Sequence, residues 1–177
     1  MEEMEMGLFS KLFKNEESTG TEKISVSEEK GCIYSPADGK AVALETLGDG
    51  MFSEKILGDG VAVAPSEGKF FAPISGTVET VFPTGHAYGI TSADGVEILL
   101  HIGLDTVALD GKGFRAHVKQ GQQVNAGDLL ATVDLDAVKK EGYRVETMVI
   151  VTSGNAVENR IDADAEVKAG EKIFETK

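Results

Sequence analysis

The chain has 177 residues, 41% of them hydrophobic and 27% charged, the profile of one ordinary soluble globular domain able to bury a proper core. A formal net charge of −13 argues against a nucleic-acid partner, which needs a basic patch, and instead suits a basic protein partner. The single cysteine, Cys32, excludes an internal disulfide framework and a cysteine-rich metal site, and fits a reducing cytoplasm.

In chain order, residues 1–6 form an acidic cap, and Gly7 to Lys14 place Leu8, Phe9, Leu12 and Phe13 on one helical face. This amphipathic stub is shorter than the ~12–15 residues at which an isolated helix becomes marginal in water, so it orders only against a surface. A docked helix and a disordered tail are the open alternatives. A weak membrane-surface contact is opposed by Glu2, Glu3 and Glu5. No signal peptide or membrane span is visible, so export is not expected, and the start at Met1 with the amphipathic stub favours a free-standing protein over a piece of a longer chain, which stays open as the alternative. Residues 15–23 are polar and read as a linker, giving a tail over 1–23 and one folded domain over 24–177.

Within the domain, 21 glycines in the whole chain, beside many short apolar runs, predict an all-β antiparallel sandwich with few short helical turns. Two internal echoes suggest duplicated hairpin units: Tyr34 to Val42 with Phe71 to Val78, and Val124 to Leu130 with Val167 to Ile173. Leu135 to Gly142 is the best helical window, with Asp134 or Asp136 to begin it and Gly142 to stop it. Thr147 to Thr152 is a continuous apolar, β-branched run, the mark of a strand buried on both faces.

The stretch from Ala87 to Val107 carries an Asp94-Gly95 hairpin signal between two strand-like flanks. A two-residue turn there pairs His101 with Tyr88 and Gly103 with His86, and puts His86, Tyr88, Leu99 and His101 on one face. The two histidines are then diagonal neighbours, roughly 7–8 Å apart at the backbone, and Gly103 leaves them open to an incoming group. A three-residue loop would shift the register and separate them. Taken alone, two unrelated strand histidines are the simpler reading, and the flanking sequences decide between them.

Those flanks are His101-Ile-Gly-Leu-Asp-Thr-Val107, preceded by Val96-Glu-Ile-Leu-Leu100, together with Phe82-Pro-Thr-Gly-His-Ala87, Glu54 to Ala62, Ala72-Pro-Ile-Ser-Gly76 and Gly121 to Asp128. In their order along the chain they resemble the glucose-type IIA domains of the bacterial sugar phosphotransferase system, over roughly residues 30 to 177. The resemblance implies an antiparallel sandwich with pseudo-symmetric strand motifs, the duplicated hybrid motif. It also implies a phosphocarrier that takes a phosphoryl group on His101 from the histidine phosphocarrier protein HPr and hands it to a cysteine of a sugar-specific IIB domain. No cofactor is required. His86 is implied as a hydrogen-bond donor to the phosphoryl oxygens, and the Thr84 hydroxyl as the group that fixes its tautomer; an ordinary turn hydroxyl is the other reading of Thr84. An apolar docking ring is implied at Phe52, Ile56, Leu57, Phe82, Leu99 and Val107, any single one of which could simply be core, with Asp49 and Asp105 at its rim to meet arginines of the donor. Family members also bind regulated target proteins, and a zinc ion shared between His86, His101 and a partner has precedent in the family. Adventitious metal at two imidazoles is the alternative.

Glu97 reads as a solvated strand charge and His117 as a surface residue. Two other classes compete. A zinc metallopeptidase needs three protein ligands, yet Ile90 stands fourth after His86 and Gly103 second after His101. A biotin- or lipoate-carrying domain presents a lysine at a hairpin tip, and Asp94-Gly95 has none.

Overall fold

The computed structural model describes residues 22–177, so the acidic cap, the amphipathic stub and most of the linker lie outside the described residues. Among them the chain forms β1 (Cys32–Tyr34), β2 (Gly39–Val42), β3 (Asp59–Pro65), β4 (Lys69–Phe71), β5 (Gly76–Val81), β6 (Ala87–Thr91), β7 (Glu97–Leu104), β8 (Phe114–Ala116), β9 (Gln123–Val124), β10 (Leu129–Val133), α1 (Leu135–Lys140), β11 (Arg144–Val151), β12 (Val157–Glu158), β13 (Glu166–Val167) and β14 (Lys172–Thr176), with 3-10 turns at Leu44–Leu47 and Thr106–Leu109. All strand pairs are antiparallel. An eight-stranded sheet runs in the order β13-β2-β3-β11-β7-β6-β5-β9, and two three-stranded sheets run β1-β14-β12 and β4-β10-β8. The sandwich expected from glycine content and short apolar runs is the one observed.

The two sequence echoes meet each other in space. Tyr34 N–H donates to Pro73 O at 3.0 Å, and its counterpart Phe71 N–H donates to Pro36 O at 2.7 Å. Gly127 N–H bonds Ala72 O and Gly170 N–H bonds Ser35 O, each at 2.9 Å. The correspondence extends to side chains: the Asp38 carboxylate accepts from Ala169 N–H at 2.8 Å, and the Ser75 hydroxyl from Ala126 N–H at 2.7 Å. Each aromatic-x-Pro corner is therefore tied to one Ala-Gly turn by the same bonds, which satisfy backbone groups that no ladder reaches. Lys23 to Val26 crosses this junction. Lys23 bridges Asp128, Ile24 N–H donates to Gly127 O, and Val26 lies so close that a Cβ on Gly127 or Gly170 would stand 2.9 Å or 3.2 Å from its Cγ2.

β11 sits between β3 and β7 and explains its own composition. Its Val149 and Val151 enter the main core with Tyr88, Leu100, Leu130 and Phe174. Its Met148 and Ile150 enter a second, smaller core with Leu44, Leu47, Phe52, Ala62 and Leu104 on the sheet's other face. Its stretch from Thr147 to Val151 packs on both sides and, apart from the buried Thr147, carries only apolar side chains. α1 begins where the Asp134 carboxylate accepts from Ala137 N–H at 3.1 Å, and stops before Gly142, which has φ 89°.

The hairpin between β6 and β7 differs from the two-residue turn. Thr91 pairs with Glu97, Ser92 N–H donates to Val96 O, and Gly95, at φ 84°, closes a three-residue loop of Ala93, Asp94 and Gly95. Every partner moves by one. His101 faces Ala87 rather than Tyr88, and Leu100 faces Tyr88. Tyr88 accordingly leaves the face assigned to it and is fully buried in the core, its hydroxyl donating to Gly85 O at 2.9 Å.

Candidate functional site

By strand alternation alone the shifted register would send His86 and His101 to opposite faces. Their rings nevertheless stand edge to face with centroids 4.9 Å apart. The reason is that β6 begins at Ala87, so His86 lies in the preceding turn, where Gly85, at φ 71°, donates its N–H to Phe82 O. The strand pleat does not dictate its direction. The backbone stays paired, since Ile102 N–H donates to His86 O at 2.7 Å, while the Thr84 hydroxyl bonds His86 Nδ1. Ile102, rather than Gly103, is the neighbour across from His86.

His101 points from the middle of β7 onto the face of the second core, with Ala87 on one side and Met148 of β11 on the other. Its Nδ1 lies 2.8 Å from Gly103 O. A carbonyl only accepts, so this contact requires the proton on Nδ1, and the neutral ring carries its lone pair on Nε2. Phe52 packs against the ring at 5.0 Å between centroids, and Phe82 meets His86 edge-on at 5.4 Å.

Both imidazoles are held neutral. Burial, with the neighbouring His101 as the smaller cause, lowers the His86 pKa to about 4. Burial also lowers that of His101, against the opposing pull of the Gly103 carbonyl, Asp105 and Asp49. At pH 7 the pair thus offers an unprotonated nitrogen on His101. If Thr84 donates its hydroxyl proton to His86 Nδ1, the neutral His86 ring carries its proton on Nε2 as a donor.

The residues expected to ring the site divide. Ile56, Leu57, Phe82 and Val107 are each exposed, at 66%, 41%, 40% and 58%. Leu99 is half-buried on the His101 face of β7. Phe52 differs from the exposed position expected of it: it is 2% exposed and belongs to the second core, so it supports His101 from beneath. Met51, beside it and 41% exposed, is the apolar surface residue that sequence reasoning passed over. Its only signal was its place within the Gly48-to-Gly58 loop.

Asp105 is exposed and adopts φ 60° between β7 and the following 3-10 turn. Asp49 is exposed too, but its carboxylate accepts from Phe52 N–H at 2.9 Å and Ser53 N–H at 2.8 Å. Burial opposes its charge, yet those N–H groups and the Ser53 hydroxyl together hold its pKa below the usual carboxylate value. Asp49 is thus an exposed charge that also caps the loop seating Phe52. Glu97 is exposed at the far end of β7, as expected of a solvated charge. His117 is half-buried, its Nε2 3.0 Å from the Thr132 hydroxyl on β10, and stands apart from the pair.

Among the described residues no three His, Cys, Asp or Glu side chains gather in a group able to hold a metal ion. A metallopeptidase centre therefore lacks its third ligand here. No helix among those residues is long and apolar enough to cross a membrane.

Comparison with known proteins agrees with this geometry. The profile of the family described as phosphoenolpyruvate-dependent sugar phosphotransferase system, EIIA 1, matches residues 31–157. The glucose-specific EIICBA component of the PTS system of Streptococcus pneumoniae serotype 4 is 52% identical over 127 residues, 72% of this chain but only 18% of that longer protein. The glucose-specific EIIA component of the PTS system of Mycoplasma capricolum subsp. capricolum is 47% identical over 141 residues, covering 80% of this chain and 92% of its own. The solved structure of glucose permease IIA from Mycoplasma capricolum superimposes with a TM-score of 0.78 at 44% identity, over 85% of this chain and 98% of that one. With the match spanning most of the domain and the histidine pair inside it, the chain belongs to the EIIA 1 family of the phosphoenolpyruvate-dependent sugar phosphotransferase system.

Proposed function

We propose that the chain is a phosphoryl carrier that accepts the group on His101 Nε2 from phospho-HPr and passes it to a cysteine of a sugar-specific IIB domain. The observation that carries this reading is the Nδ1 bond of His101 to Gly103 O, which leaves Nε2 as the bare nucleophile. In the first transfer the Nε2 lone pair forms a bond to phosphorus as the phosphorus–nitrogen bond of the donor breaks and returns its electron pair to the donor ring. In the second the cysteine sulfur takes the same phosphorus and His101 recovers its lone pair. The transition state spreads negative charge over the equatorial oxygens, so positioned donors matter more than a strong base. His86, 4.9 Å away between centroids and held by Thr84, is placed to be such a donor.

Docking falls to the exposed Ile56, Leu57, Phe82 and Val107, with Leu99 at their edge and Asp49 and Asp105 attracting a basic partner. In this reading the working unit is residues 24–177 in the cytoplasm, and the segment before it is a tail whose amphipathic stub has a membrane surface as one candidate contact. Binding of regulated target proteins would use the same apolar face. A zinc ion at the pair would find two ring nitrogens, and its remaining ligands would come from a partner protein.

The test is the relay itself, run from phospho-HPr through the chain to a panel of IIB domains. His86→Gln should still take up phosphate on His101 but donate to IIB ~10²–10³ more slowly, the typical cost of one positioned donor. Donation at the wild-type rate would remove His86 from the mechanism. Failure of every IIB domain to accept would remove the carrier reading.

A further inference from the structure

We infer that Thr106 is the positioning residue that fixes the tautomer of His101, acting through the Ile102–Gly103 backbone. The inference rests on the reading of His101 as the phosphoryl acceptor for its functional consequence, though not for its geometry.

The Nδ1 contact of His101 is to the carbonyl two residues further along its own strand, and a regular strand does not turn that carbonyl back toward the side chain. The chain achieves it at a bulge. Across from β7, Arg144 pairs with Leu104 and Thr147 with Ile102, so two residues of β11 stand opposite Gly103 alone. Gly103 takes φ 82°, open to glycine and costly for other residues. The bend is then held from both ends. Ile102 N–H is committed to His86 O, and Ile102 O accepts the Thr106 hydroxyl at 2.6 Å.

Thr106 is 1% exposed and opens a 3-10 turn, yet it reaches back four residues into the strand. Its methyl also presses on the bend, since a Cβ built on Gly103 would stand 2.3 Å from Thr106 Cγ2. One buried side chain thus bonds the peptide before Gly103 and packs against its Cα. Without the hydroxyl, Ile102 O becomes a buried acceptor with no partner, and the loop must relax to find one. Movement of Gly103 O then releases Nδ1–H, and part of the population carries its proton on Nε2, the atom that has to attack.

The experiment uses the full chain and separates hydroxyl from methyl. Thr106→Val keeps the methyl and puts a second methyl in place of the hydroxyl; Thr106→Ser keeps the hydroxyl and loses the methyl. Long-range proton–nitrogen correlation spectra at neutral pH report which ring nitrogen of His101 is protonated, with no phosphoryl donor present. Wild type and Thr106→Ser should show Nδ1–H alone. Thr106→Val should show a mixture, and its uptake of phosphate from phospho-HPr should fall about tenfold, the worth of one hydrogen bond. A wild-type tautomer and uptake rate in Thr106→Val would overturn the inference, as would a serine variant as impaired as the valine one. Should the valine variant not fold, Thr106→Ala with the serine variant makes the same comparison, and equal tautomers in those two would refute it. If His101 proved not to be the acceptor, the carrier reading would fail while the tautomer result stood.

Discussion

His86→Gln should remove a large part of the acid sensitivity of the fold. His86 is 2% exposed and its pKa is lowered from 6.5 to about 4, by burial first and by His101 second. Between those two values the unfolded chain binds a proton that the folded chain refuses, so stability rises with pH through the window and falls as pH drops. Taking 6.5 and about 4 as the unfolded and folded values, this one residue costs about 2.4 kcal/mol more at pH 4.5 than at pH 7. Glutamine has similar reach toward Thr84 and does not titrate. Urea unfolding followed by circular dichroism, at both pH values, gives the difference directly; the chain has no tryptophan for fluorescence. Carboxylates whose pKa values are lowered in the fold, such as Glu45 and Asp49, also destabilise it in acid, but they do so in both proteins and cancel. Equal loss of stability in wild type and variant would show that His86 is not buried in its neutral form and would undo the electrostatic argument for the pair.

Other substitutions probe the surroundings. Phe52→Ala should cost about 3–5 kcal/mol in unfolding experiments, as a fully buried aromatic does, whereas Ile56→Ala should stay within about 0.5 kcal/mol and show its effect in HPr titrations. Gly103→Ala meets both the φ 82° penalty and contacts of 2.3 Å to Thr106 and 2.9 Å to Arg144 O, so a loss of about 2–4 kcal/mol is expected; stability within 0.5 kcal/mol of wild type would mean that the bulge is not fixed as described. Asp105→Lys should slow association with HPr most at low salt and leave dissociation nearly unchanged, measured by stopped flow across ionic strengths.

Much of the architecture was legible because its signals are local. Asp134 and Gly142 bracket α1 by cap chemistry, and the unbroken apolar run from Thr147 marks β11 as a strand with a core on each side. The echoed aromatic-x-Pro and Ala-Gly segments announced a duplication, although that they bond to one another is a tertiary fact. The β6–β7 register was not legible. Asp-Gly serves both two-residue and three-residue loops: the two-residue turn needs Asp94 and Gly95 both left-handed, and here Gly95 is left-handed while Asp94 is not. The proximity of the two histidines therefore came from their flanking motifs and not from the pairing derived for them, since His86 is aimed by the turn at Gly85. Phe52 escaped for a related reason: it lies in an irregular loop with no periodicity to tell a buried aromatic from an exposed one. His117 meets Thr132 only because β8 pairs with β10, a contact between segments that no local pattern joins.

The proposal that Nε2 of His101 accepts the phosphoryl group underlies the rest. It is tested most directly by phosphorylating nitrogen-15-labelled protein with phospho-HPr and locating the phosphorus on the histidine rings by phosphorus and nitrogen resonances, with His101→Ala alongside. One acid-labile phosphate is expected, bonded to Nε2 of His101 with Nδ1–H still present, and no label on the alanine variant. Phosphate on Nδ1 of His101 or on His86, or undiminished labelling of His101→Ala, would contradict it.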